Sequence, residues 1–135
     1  MQMETDWTTE NQISGFAAIH KTAKTEKEIL IKLLETICTK DVKEMTEIFK
    51  KLESNSNTAL RTYDEFVEIV RKALLIRVGS GDKDNDELSR IATTYPHTIA
   101  SKTVLELLEK RYLLEVSDAH AWTAFLAILL ECIER

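Results

Sequence analysis

Residues that end or turn a helix are scarce in this chain: three glycines and one proline among 135 residues, about 3% where an ordinary protein carries roughly 12%. Sandwiches, barrels and hairpin-rich folds need Gly, Asn and Pro at many turns, and collagen-like or Pro-rich disordered chains need far more of both. The shortage disfavours all of them and points to helices joined by short connections. Hydrophobic residues make up 44% of the chain and charged residues 30%, ordinary globular proportions. A core can therefore be buried, and the length suits a single helical domain over 1–135. Residues 1–8 are polar and acidic and are expected to form a flexible N-terminal segment.

Apolar spacing follows the helical period along most of the chain. Four capping boxes mark helix starts: Thr25 with Glu28, Asp41 with Glu44, Thr62 with Glu65, and Asp84 with Glu87. In each, an oxygen acceptor and a carboxylate three residues on can satisfy backbone donors that a helix start leaves unpaired. The pattern predicts helices over 26–39 (Ile29, Leu30, Leu33, Leu34, Ile37), 42–54 (Met45, Ile48, Phe49, Leu52) and 63–78, the last stopping at Gly79. A short helix with Leu88, Ile91 and Ala92 ends at Pro96, because proline disfavours helical geometry in the residue before it. A fifth helix over 98–115 draws its apolar face from Val104, Leu105, Leu107, Leu108 and Tyr112, and a sixth over 118–134 takes Asp118 as its cap. Ile13, Phe16 and Ala17 suggest a further helix over 9–23, weakened by Gly15. The expected fold is all-α, a compact bundle of five to seven helices around an apolar C-terminal helix.

That last helix is apolar around most of its circumference, so it needs cover on every side. Whatever side the other helices leave bare would be an interface. Trp122, Phe125, Leu129 and Ile133 are the candidates, together with Trp7, which stands in a polar segment and can dock onto a partner. The apolar run Ala121–Ile133 is shorter than the roughly 20 helical residues that cross a bilayer, so no membrane association is expected. Nothing near Met1 resembles a secretory or transit signal, which suggests a cytoplasmic protein. Cys38 and Cys132 lie on apolar helical faces without a CxxC motif and are expected to be reduced and buried.

No catalytic pattern stands out. Asp82, Asp84 and Asp86 alternate like the start of a calcium loop, but Glu87 stands where the turn needs glycine and Thr93 where a bidentate Glu is needed. His20, His97 and His120 lie far apart and form no metal-ligand spacing. Asp64, Glu65 and Glu68, with Asp82 and Asp86 further on, are the set a magnesium-dependent all-α nucleotide pyrophosphohydrolase would use. That reading is remote, because the second carboxylate set falls in a loop rather than on a facing helix. No cofactor, metal site or catalytic residue is expected.

The net charge of −5 disfavours wholesale binding to nucleic acid. A local exception is residues 87–116, which can be read as a helix-turn-helix: Thr98, Ser101 and Lys102 near the start of the recognition helix, Lys110 and Arg111 at its end, and Tyr112 to Val116 as a first wing strand. The leading expectation is a non-enzymatic protein-protein interaction module, an accessory subunit, adaptor or regulator. It would present a helical face or groove to a protein partner and self-associate as a homodimer; a helix-turn-helix nucleic-acid-binding regulator is the alternative.

Overall fold

A computed structural model of the chain describes residues 26–55, 57–80 and 86–134. These form an all-α bundle with no strand among the described residues. Helix α1 covers 26–39, followed by α2 (Val42–Glu53), α3 (Ala59–Arg77), α4 (Asp86–Thr94), α5 (Ser101–Glu109) and α6 (Tyr112–Ser117). A 3-10 turn over Asp118–His120 leads into α7 (Ala121–Glu134). Trp7, the helix expected over 9–23, the box at Thr25 and the loop aspartates Asp82 and Asp84 lie outside the described residues.

Helix α1 stops where Lys40 takes a left-handed conformation, φ 62°. Two hydrogen bonds close its last turn: the Lys40 N–H donates to the Ile37 carbonyl at 3.3 Å, and the Asp41 N–H to the Thr36 carbonyl at 3.0 Å. Asp41 then starts α2, its Oδ1 accepting the Glu44 N–H at 3.1 Å, as the capping box predicts. Helix α3 ends by the same device with Gly79 at φ 86°, a conformation only glycine adopts without strain.

The start of α3 differs from the sequence pattern. Thr58 caps it, its Oγ1 accepting the Arg61 N–H at 3.2 Å, and Thr62 is buried one turn inside. The extra turn brings Ala59 and the Thr62 side chain into the core, which outweighs the capping-box signal at Thr62 and Glu65.

Helix α3 packs against α4, α5, α6 and α7, and α7 packs in addition against α2. Phe125 of α7 sits at the centre of an aromatic cluster. Its ring lies 5.0 Å from Tyr63 and 5.3 Å from Phe49 in edge-to-face contact, and 6.0 Å from the stacked Trp122. Phe66 approaches from α3 at 6.3 Å. Leu30, Leu33 and Leu34 of α1 and Ile91 of α4 complete the same buried cluster.

The predicted fifth helix is two helices. It begins at Ser101 rather than Thr98, breaks at Lys110 and Arg111 into tighter i to i+3 bonds, and resumes as α6. Tyr112 to Val116 is therefore helical and not a wing strand. Asp118 does not start α7 as an ordinary cap. It reverses the chain at φ 50°, ψ −106°, so that α6 folds back onto α7. By length and composition the run Ser101–Glu134 could cross a membrane, but this reversal divides it, and α7 alone has 14 residues.

Candidate interaction surface

The α5–α6 arm carries two apolar rows. Leu107 and Leu114, seven residues apart, point inward and are buried. Leu105, Leu108, Tyr112 and Val116, at spacings of three, four and four, form the opposite row. They are 65%, 51%, 58% and 71% exposed, four of the six large exposed apolar side chains among the described residues. The sequence pattern placed Leu105, Leu108 and Tyr112 on the core face of this helix. The structure turns them outward, because α3 takes the Leu107 side.

Three contacts hold the arm in that rotation. The buried Tyr63 hydroxyl of α3 donates to the Leu107 carbonyl at 2.5 Å. Arg111 forks onto the Asp64 carboxylate of α3, with Nε to Oδ1 at 2.7 Å and Nη2 to Oδ2 at 2.9 Å, and also pairs with Glu115. Lys110 pairs with Glu131 of α7. The Asp64 carboxylate keeps the Arg111 guanidinium charged far beyond its ordinary range. Burial, followed by the charges of Cys132 and Asp64, pushes the Tyr63 hydroxyl well up, so it remains a donor.

Three of the four interface candidates on α7 are corrected by this geometry. Phe125 and Leu129 are fully buried and Ile133 nearly so, all within the chain's own core. Trp122 is half-buried, stacked on Phe125 and edge-on to Phe49 at 5.6 Å. The face that α7 was expected to offer is covered by α2, α3 and α6.

The nucleic-acid candidates do not gather on one face. Ser101 and Lys102 are exposed in the first turn of α5, and the Thr98 carbonyl just before it accepts the Thr103 hydroxyl at 2.7 Å. Lys110 and Arg111 are engaged with α7 and α3 instead. The carboxylates are dispersed in the same way. Asp64 holds Arg111, Glu68 holds Arg71 at 2.9 Å, and Glu65 lies 3.7 Å from Arg61. Burial, and then the neighbouring Glu26, raises the Glu65 carboxyl above its usual range. Among the described residues no three His, Cys, Asp or Glu side chains converge as metal ligands.

Both cysteines are free thiols. Burial and the nearby Glu35 charge push Cys38 up to about 12, while burial raises Cys132 against the opposing effect of Lys110. Neither is activated as a nucleophile. Among the described residues, an open groove of about 660 Å³ lies between the end of α1 and the start of α2, lined by Lys32, Glu35, Thr36 and Asp41 among others. Another, of about 560 Å³, lies along α3 between Thr58 and Glu68. Comparison with protein-family models, with curated proteins and with solved structures finds no match for this chain.

Proposed function

We propose that this chain is a protein-protein interaction module, an accessory subunit, adaptor or regulator, that docks a protein partner on the outer face of α5–α6. One observation carries the reading: a row of four exposed apolar side chains lies on helices whose rotation is fixed from behind by Tyr63, Leu107, Leu114 and Arg111. A row of this kind, pre-positioned on rigid elements, loses little order on binding and excludes water when covered. The same arm supports the nucleic-acid alternative less well, since two of its three basic side chains, Lys110 and Arg111, are tied to acidic residues of the bundle.

The test is site-specific photocrosslinking in cells that express the full chain. A benzophenone amino acid is placed at Leu105, Leu108 or Tyr112, and as a control at Lys50 on the exposed side of α2. Discrete protein adducts at the three α5–α6 positions and none at Lys50 are expected. Adducts that are absent at all three, or equally abundant at Lys50, would refute a docking role for this face.

A further inference from the structure

We propose that Glu65 of α3 and Glu26 of α1 share one proton, and that this acid–carboxylate hydrogen bond is a latch, closed in acid, that holds the start of α1 against α3. The inference does not depend on the docking face.

The surroundings of Glu26 are the first argument. Asn55 and Asn57, between α2 and α3, both donate to its carboxylate: Asn55 Nδ2 to Oε2 at 3.1 Å, and Asn57 Nδ2 to Oε1 at 3.0 Å and to Oε2 at 2.8 Å. With both oxygens taken by amide donors, Glu26 stands as an acceptor. The Glu65 carboxyl lies within hydrogen-bonding reach of it. Two ionised carboxylates only accept and cannot bond one another. One proton between them turns a repulsion into a charge-assisted hydrogen bond.

An orphaned atom is the second. Glu65 Oε1 is buried and meets no donor among the described residues. As part of an ionised carboxylate it would be desolvated with nothing in return. A proton on that atom makes it the donor to Glu26 and removes the cost. Burial of Glu65, and then the Glu26 carboxylate beside it, favour the protonated form.

The same side chain has an alternative partner, which gives the latch its open state. Glu65 Oε2 lies 3.7 Å from Arg61 Nε, four residues earlier on α3. Among the described residues, Glu26 from α1 and Arg61 from its own helix are the charged groups that act on Glu65. Asp64 and Glu68 line the same groove but are held by Arg111 and Arg71. When Glu65 loses its proton, Glu26 repels it and Arg61 attracts it, and the bond between α1 and α3 breaks. Glu65 holds its proton more tightly in the folded chain than in the unfolded one. The latch is therefore complete below the ordinary glutamate range and is lost as pH rises through the raised folded value.

Carboxyl-carbon NMR titration of the full chain, labelled at glutamate, tests the shared proton. Glu65 is expected to titrate above the ordinary glutamate range. In Glu26→Gln its midpoint is expected to fall part of the way back, because the neighbouring charge is gone while burial remains. Amide hydrogen exchange tests the latch. Protection in the first turns of α1 is expected to drop by up to about tenfold per pH unit as pH rises through the Glu65 midpoint. In Glu65→Gln it is expected to stay level, since the glutamine amide can donate to Glu26 at every pH. A Glu65 midpoint in the ordinary range overturns the proposal. So does a raised midpoint that Glu26→Gln leaves unmoved, because burial alone would then hold the proton. Wild-type protection in α1 that ignores the Glu65 titration overturns it as well. The wild-type titration and protection profile decide the matter even if neither variant folds.

Discussion

Helix α7 and the α5–α6 arm are both rich in apolar side chains, and they use them in opposite ways. Helix α7 is apolar nearly all round, and α2, α3 and α6 cover the side that carries Phe125, Ile128, Leu129 and Ile133, where Phe125 becomes the hub of the aromatic cluster. The arm carries fewer apolar residues but holds the exposed row, because α3 and α7 cover only its Leu107 and Leu114 side. Apolar content therefore does not identify an exposed face. Coverage does, and coverage depends on how every other helix is placed.

The comparison breaks first at its strongest point. Phe125→Ala removes the ring that Phe49, Tyr63, Phe66 and Trp122 all touch, and is expected to cost about 3–5 kcal/mol. Chemical denaturation followed by circular dichroism measures it, as a lower midpoint with an unchanged slope. A cost below about 1 kcal/mol would mean that α7 is not the packed centre.

A sharper contrast lies between two adjacent leucines. Leu107 is 1% exposed and Leu108 is 51% exposed. Leu107→Ala is expected to cost about 2–5 kcal/mol and Leu108→Ala no more than about 0.5 kcal/mol, measured by the same denaturation. Equal costs would mean that the arm is rotated from the orientation described, and the exposed row would lose its standing as a surface.

The adjacency of these two residues also shows how far the sequence could be read. The helical class, the cap at Asp41 and the stop at Gly79 were legible, because each follows from local chemistry within a few residues. The end of α1 at 39 was legible as well, although the left-handed Lys40 that closes it carries no sequence signal of the kind that glycine does. The exposed face of the arm was not. Periodicity puts Leu105, Leu107, Leu108 and Tyr112 together on one apolar face and does not say which of them turn outward. The choice is made by Tyr63 and Asp64, 44 and 47 residues away from their partners Leu107 and Arg111. Trp122, Phe125, Leu129 and Ile133 were read as interface residues for the same reason, because the helices that cover α7 come from distant parts of the chain.

Asp118 joins the two regions, and a substitution there tests whether they are separate elements. Its φ of 50° and ψ of −106° place an L-residue in a region that costs about 1–3 kcal/mol. Asp118→Gly removes that strain and gives back roughly 0.5–1 kcal/mol through the greater freedom of glycine in the unfolded chain. A net stabilisation of about 1 kcal/mol is expected, seen as a rise in the thermal midpoint of a few degrees. If α6 instead ran straight into α7 as one long helix, residue 118 would lie in a helix interior, where glycine is among the poorest residues. The substitution would then lower the midpoint. The sign of the shift therefore distinguishes a chain that folds back, burying α7 and turning the arm's second row outward, from a continuous apolar helix of membrane-spanning length.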